Sequence, residues 1–97
     1  MPLSSDSKKD SAIPLTDDQL IIESVLKGDV NRFEALVLKY RDKLFRFLIK
    51  NVRETDLAED LTQEAFVEAF RSLGKFRRES SFSTWLIGIA LNLSRNH

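Results

Sequence analysis

Apolar residues repeat with the period of an α-helix through the middle of the chain, and this pattern limits the fold more than any other feature. Between residues 33 and 48 they form one stripe of a helix with 3.6 residues per turn: Phe33, Leu36, Val37, Tyr40, Leu44, Phe47 and Leu48. A second stripe predicts the core face of the next helix: Ala58, Leu61, Thr62, Ala65, Phe66, Ala69 and Leu73. No strand-like alternation occurs, so we predict an all-α, compact bundle of about four helices.

A shorter helix precedes these two. Thr16 or Asp17 is predicted to cap it, because a short side-chain oxygen accepts the free amide hydrogens of a first turn. Gly28 is predicted to end it, and Asp29 or Asn31 can cap the helix that follows. Its predicted apolar face consists of Leu20, Ile21, Val25 and Leu26.

A last helix follows a loop at residues 75–81 that has no helix or strand pattern. Gly74 is predicted to end the third helix, and Ser83 or Thr84 is predicted to cap the last one. No terminator precedes His97, which suggests a piece of a longer protein. The predicted buried side of the last helix is Trp85, Leu86, Ile89, Ala90 and Leu93.

The charged residues fall in blocks, although fifteen basic and fifteen acidic side chains cancel over the whole chain. Residues 39–53 carry six basic groups and one acidic group, residues 54–68 carry six acidic groups and no basic one, and residues 69–97 carry five basic groups and one acidic group. The outward stripe of the acidic block is either a surface for a basic protein partner or a solvated helix face. Its members are Asp56, Asp60, Gln63, Glu64, Val67 and Arg71.

The loop after the acidic helix combines basic and aromatic side chains. Lys75, Arg77 and Arg78 suit phosphate groups, and neighbouring aromatic rings suit unstacked bases. Phe76 and Phe82 are equally explained as anchors of the loop in the core. The pattern indicates a surface for single-stranded nucleic acid beside the acidic one, with a merely solvated loop as the alternative.

The chain lacks the residues of most catalytic and metal sites. It has no cysteine and one histidine, so neither a thiolate site nor a histidine cluster can form. Its three glycines form no phosphate-binding loop. We therefore expect no metal, no cofactor and no enzymatic activity.

Residues 1–15 are rich in Ser, Lys and Asp and are predicted to be a disordered leader before a folded domain at residues 16–97. No apolar run is long enough for a signal peptide or for the ~20 residues that span a bilayer. We therefore expect a cytoplasmic protein with no membrane insertion.

Three motifs follow one another in the second half of the chain. They are EDLTQEAF at residues 59–66, KFR at residues 75–77, and SFSTWL at residues 81–86 with IALN at residues 89–92. In order and spacing they resemble region 2 of a bacterial sigma-70 family transcription initiation factor of the extracytoplasmic-function (ECF) group. The resemblance covers residues 17–97.

The resemblance implies that the second and third helices dock on the clamp-helix coiled coil of the RNA polymerase β′ subunit. An acidic stripe with amide hydrogen bonding suits a basic coiled coil. The ECF group also implies an anti-sigma factor that covers the same surfaces. The residues implied in polymerase binding are Asp56, Asp60, Gln63, Glu64 and Val67.

The resemblance gives the loop and the last helix a role in binding promoter DNA. The loop corresponds to the segment that holds an extruded base of the −10 element's non-template strand, and Asn92 corresponds to a residue that reads a base. Trp85 either stacks on a base or belongs to the core. The residues implied in DNA binding are Lys75, Phe76, Arg77, Arg78, Ser80, Ser81, Ser83, Thr84, Trp85 and Asn92.

The sequence departs from the family pattern at the last helix. Gly88 and Leu91 stand where many ECF members carry arginine, so weaker duplex contacts are expected. Gly88 and Ile89 stand where housekeeping sigma factors have a tryptophan pair that opens the duplex. The resemblance also includes no counterpart of the linker and the helix-turn-helix domain that reads the −35 element.

Two other functions remain open. A helical adaptor domain would use the acidic stripe for one protein partner and leave the basic loop solvated. A duplex-reading helix-turn-helix protein is disfavoured, because no two short helices joined by a tight turn precede a basic recognition helix. The leading hypothesis is a non-enzymatic specificity factor for transcription initiation that binds core RNA polymerase and captures the single-stranded −10 element.

Overall fold

The computed structural model describes residues 16–96. Four α-helices follow one another, with short 3-10 turns at Val30–Arg32 and Leu73–Lys75: Asp17–Leu26 (α1), Phe33–Val52 (α2), Thr55–Arg71 (α3) and Phe82–Arg95 (α4). No strand occurs within residues 16–96, and the predicted all-α bundle of four helices is confirmed. The predicted disordered leader, residues 1–15, lies outside the described residues.

Helix α3 lies between α2 and α4 and packs along both. Every residue predicted for its core face, and for the turn that follows, is buried. The predicted stripe of α2 is confirmed too: Phe33, Leu36, Leu44 and Leu48 are buried, and Val37, Tyr40 and Phe47 are half-buried. Each fully buried Leu or Phe contributes about 1.5–3 kcal/mol relative to an exposed one, so these two stripes supply much of the stabilising free energy.

A two-residue connection joins α2 to α3 and fixes them as an antiparallel pair. Arg53 ends α2 in the left-handed conformation (φ 58°), and its amide donates to the carbonyl of Ile49 at 2.9 Å. Glu54 then precedes α3 in an extended conformation. On α3 the buried hydroxyl of Thr62 donates to the carbonyl of Ala58 at 2.7 Å, so burying this polar group leaves no hydrogen bond unmade.

Helix α1 begins and ends as its sequence predicts. Thr16 caps it in a capping box: the Gln19 amide donates to the Thr16 hydroxyl at 3.1 Å, and the Thr16 amide donates to the Gln19 side chain at 2.9 Å. Gly28 follows the helix with a φ of 117°, a conformation that favours glycine.

The predicted apolar face of α1 is partly wrong. Leu20 and Leu26 are 49% and 54% exposed, whereas Ile22, absent from the predicted face, is buried together with Val25. Ile22 and Val25 stand three residues apart and therefore share one line on the helix surface, which faces the core. A ten-residue helix with five apolar side chains permits more than one such line, and packing against α2 selects this one.

Two predicted helix boundaries are also wrong. Neither Asp29 nor Asn31 caps α2, because the chain forms a 3-10 turn there and α2 begins after Arg32 without a side-chain cap. Gly74 does not end α3, which ends at Arg71. Ser72 is the C-cap of α3: its amide donates to the carbonyl of Glu68 at 2.9 Å, and its hydroxyl donates to the Glu68 carboxylate at 2.8 Å.

Helix α4 begins earlier than predicted. Ser81, and not Ser83 or Thr84, is its N-cap, with the Thr84 amide donating to the Ser81 hydroxyl at 3.1 Å. This start places Phe82 inside the helix with its ring in the core. The predicted buried side is otherwise observed: Leu86 and Ala90 are buried, and Trp85, Ile89 and Leu93 are half-buried.

Candidate nucleic-acid and protein interfaces

Aromatic packing anchors the loop that connects the turn at residues 73–75 to α4. Phe82 is 2% exposed, and its ring packs edge-on against Phe33 at 6.4 Å and Phe76 at 6.2 Å between ring centroids. Phe76 is half-buried and also contacts the ring of Trp85, 5.1 Å away. Phe82 is therefore a core anchor, whereas part of the surface of Phe76 and of Trp85 remains accessible.

A cavity of about 390 Å³ lies between this loop and the start of α1. Phe76, Ser80, Ser81 and Phe82 line it from the loop side, and Lys39 lines it from α2. The opposite wall consists of Thr16, Asp17, Asp18, Gln19 and Ile22. Its size falls at the lower end of the range for small-ligand pockets, about 300–1,000 Å³, and it combines an apolar floor with hydroxyl, amide and charged groups.

The three basic residues of the loop differ in their surroundings. Lys75 and Arg77 are exposed. Arg78 adopts the left-handed conformation with φ 63°, and its guanidinium donates to the carboxylate of Glu23 on α1. The predicted phosphate contacts thus comprise two exposed cations and one that is already paired within the domain.

The first turn of α1 is fixed to α2 through Asp18. Its carboxylate accepts a hydrogen bond from the Lys39 ammonium at 2.8 Å and another from the Tyr40 hydroxyl. The bond to Asp18 raises the pKa of Lys39 above its ordinary value, and burial, followed by the bond to Asp18, raises the pKa of Tyr40. Both groups therefore keep their protons at neutral pH, and the wall of the cavity formed by α1 is held in place.

The remaining predicted DNA contacts lie at the start and along the outer side of α4. Thr84 is exposed and its hydroxyl accepts a hydrogen bond from Ser81 at 3.0 Å, whereas Ser83 is half-buried. Trp85 and Asn92 line one shallow groove, and the Asn92 side-chain oxygen accepts from Arg95 at 3.2 Å. The loop residues and Asn92 are not gathered in one pocket, but Trp85 contacts Phe76 and also lines the Asn92 groove, so it links the two.

The predicted polymerase-binding residues form an exposed ridge on α3. Asp56, Asp60, Gln63 and Glu64 are exposed, and Val67 is 51% exposed in their midst. One groove, of about 700 Å³, runs between this ridge and α2, and another, of about 620 Å³, lies between the ridge and Leu93 of α4. Gln63 and Val67 line both grooves, so a partner seated in either groove contacts them.

Several lining residues were not among the candidates from sequence. Arg41 and Phe45 of α2 line the groove beside α3. The sequence pointed to this helix only through the excess of basic groups at residues 39–53 and through the family resemblance. Asp17, Asp18 and Gln19 form one wall of the cavity beside the loop. No local pattern relates α1 to a loop more than 50 residues away, as the 55-residue separation of Glu23 and Arg78 illustrates.

The described residues hold no group of three or more His, Cys, Asp or Glu side chains that could bind a metal ion. No helix within residues 16–96 is both long and apolar enough to cross a membrane.

A protein-family model described as Sigma-70 region 2 matches residues 36–97. The RNA polymerase sigma-H factor of Pseudomonas aeruginosa is 45% identical to this chain over 80 residues, which are 82% of the chain and 42% of that protein. The ECF RNA polymerase sigma-E factor of Escherichia coli K12 is 41% identical over 80 residues, 82% of the chain and 41% of that protein. The chain thus spans less than half the length of these relatives.

One solved structure is also similar. It is an NMR structure of an engineered region 2 of sigmaE in complex with GTAAAA, with a TM-score of 0.74 and 41% sequence identity. The match covers 84% of this chain and 84% of the other.

Proposed function

This chain belongs to the sigma-70 region 2 family, with relatives in the ECF group, and we propose that it binds core RNA polymerase and recognises the −10 element of a promoter. Sigma factors are non-enzymatic: they direct transcription by binding. Residues 16–97 are proposed as the region 2 domain. The observation that carries the proposal is the similarity, over 84% of the chain, to a region 2 bound to GTAAAA.

The proposed DNA surface is the loop at residues 75–81 and the outer side of α4. Lys75 and Arg77 bind backbone phosphates, and Phe76 with Ser80 and Ser81 receives an unpaired base of the non-template strand in the cavity against α1. Base stacking on aromatic rings suits this role, because it requires only the exposed part of a ring. Trp85 and Asn92 continue the surface along α4.

The proposed polymerase surface is the ridge of α3 with its two grooves. An exposed apolar side chain, Val67, surrounded by carboxylates and the Gln63 amide, fits a basic helical partner such as the β′ clamp-helix coiled coil. The cavity beside the loop and the grooves beside α3 share no lining residue. The two partners are therefore proposed to bind separate surfaces, both of which an anti-sigma factor is proposed to cover.

The test is fluorescence anisotropy of the domain with the single-stranded hexamer GTAAAA and all its single-base variants, at several salt concentrations. We expect a marked preference for one base at one or more positions, since a mismatched base costs about 1–3 kcal/mol. Equal affinity for every hexamer would contradict base capture and would favour a helical adaptor that binds protein alone.

A further inference from the structure

An ion pair joins the loop before α4 to α1. The Arg78 guanidinium donates to the Glu23 carboxylate, and the two side chains are 40% and 35% exposed. Glu23 stands on a helix that is fixed by the buried Ile22 and Val25 and by the hydrogen bonds of Asp18 to α2. Glu23 therefore lies on a fixed helix, whereas its partner Arg78 belongs to a loop without regular structure.

The backbone of Arg78 adopts an unfavourable conformation. Its φ of 63° lies in the left-handed region, which is unfavourable for a residue with a side chain and is usually occupied by glycine or asparagine. Within residues 16–96, Glu23 is the one hydrogen-bond partner of the Arg78 side chain. The ion pair therefore helps to hold the loop in a conformation that its own backbone does not favour.

The same ion pair joins the two segments that carry the walls of the cavity proposed to receive a base, although neither of its side chains lines the cavity. Arg78 lies in the chain between Phe76 and Ser80, which line the cavity on the loop side. Glu23 belongs to the helix whose first turn lines the opposite side. We therefore expect the loss of this contact to change the distance between the walls.

We propose that Glu23 is a positioning residue for base capture: by pairing with Arg78 it sets the shape of the cavity between the loop and α1, and hence base selectivity. The proposal rests on the proposed function of the loop. The pairing also neutralises Arg78, which leaves Lys75 and Arg77 as the loop cations that can bind phosphate groups. Glu23 therefore lowers non-specific affinity while it raises discrimination between bases.

The test is a double-mutant cycle of Glu23→Ala and Arg78→Ala, with Glu34→Ala as the control. Glu34 is exposed in the first turn of α2 and does not line the cavity, so its replacement removes the same charge elsewhere on the domain. Each variant is measured for hexamer binding with GTAAAA and its single-base variants, for the salt slope of that binding, and for its melting temperature.

Glu23→Ala is expected to reduce the ratio of dissociation constants between disfavoured and favoured bases by about two- to fivefold, the effect of losing a part-exposed ion pair. Its salt slope is expected to steepen by about 0.7, because the released Arg78 can reach a phosphate. Glu34→Ala should leave the ratio unchanged. Arg78→Ala should lower the ratio to a similar extent, and the double variant should lower it no further.

Two results would overturn the proposal: Glu23→Ala with the selectivity of the native domain, or a double variant whose loss equals the product of the two single losses. In both cases the native domain still prefers one base, so the function proposed for the loop stands. A native domain with no base preference would remove both proposals together.

Discussion

The carboxylate of Glu23 and the guanidinium of Arg78 form an ion pair across 55 residues of sequence, joining α1 to the loop before α4. The pair divides the basic residues of the loop into two kinds. Lys75 and Arg77 are exposed, whereas Arg78 is engaged within the domain. The three cations that sequence groups together are therefore expected to behave differently towards DNA.

Replacement of Arg77 tests the phosphate contacts. Arg77→Ala should weaken binding of all single-stranded hexamers nearly equally and should reduce the salt slope by about 0.7, the value for one phosphate contact on a single strand. Arg32→Ala, which removes an exposed cation before α2, is the control and should change neither. An unchanged salt slope for Arg77→Ala would exclude Arg77 from phosphate binding.

Substitutions of Phe82 and Phe76 test whether the first ring is a core anchor and the second a base contact. Phe82→Ala should lower the free energy of unfolding by about 3–5 kcal/mol, because it removes a ring that is 2% exposed. Phe76→Leu keeps an apolar side chain at a half-buried position, so it should preserve the fold but weaken hexamer binding through lost stacking, worth about 1–3 kcal/mol. Urea unfolding and anisotropy measure the two effects. Unchanged hexamer binding by folded Phe76→Leu would exclude Phe76 as a base contact.

The helical core was predictable because its residues repeat with a single period. Ala58, Leu61, Ala65 and Ala69 recur every three or four residues, and all are buried. In α1 the same argument failed, because its apolar residues permit two faces and the partner helix selects Ile22 over Leu20. The helical period identifies a buried face only where the apolar residues of a helix form a single stripe.

The start of α4 and the walls of the cavity were less predictable. Ser80, Ser81, Ser83 and Thr84 all carry a hydroxyl suitable for an N-cap, and the choice of Ser81 accompanies the burial of Phe82 in the first turn. The wall formed by α1 depends on contacts between distant parts of the chain, which leave no local pattern. The motifs identified the loop and the ridge of α3, but not the helix that completes the cavity.

Gly88 offers a test of the weak duplex binding expected from sequence. A Cβ added there would meet no atom within 4 Å, and Gly88 is exposed, so a longer side chain can extend into solvent. Gly88→Ala should raise the free energy of unfolding by about 1 kcal/mol through helix propensity alone. Gly88→Arg should also tighten binding to duplex promoter DNA and steepen its salt slope by about 0.9. Equal duplex binding by the Ala and Arg variants would show that this face of α4 does not approach DNA.

The hydrogen bonds of Asp18 predict how stability depends on pH. The pKa values of Tyr40 and Lys39 are raised above 10.0 and 10.5 in the folded domain, so the folded state holds these protons more tightly than the unfolded state. The contribution of these two groups to the free energy of unfolding is therefore complete below pH 10, and it is lost as the pH rises through the folded pKa values. Because Lys39 is half exposed, Tyr40 should account for most of this pH dependence. The melting temperature should fall between pH 9 and pH 11, and it should fall less in Tyr40→Phe than in the native domain. An equal fall in both proteins would contradict this assignment.

The most direct test of the proposed function is binding of the domain to a purified β′ clamp-helix coiled coil, compared between the native sequence and Gln63→Ala. Gln63 is exposed and lines both grooves of the α3 ridge, so its loss should weaken binding by about tenfold or more while leaving the melting temperature nearly unchanged. Asn31→Ala, which removes an exposed amide that lines neither groove, is the control and should bind as the native domain does. A folded native domain that does not bind the coiled coil, or a Gln63→Ala variant that binds equally well, would contradict the proposal that this ridge docks on RNA polymerase.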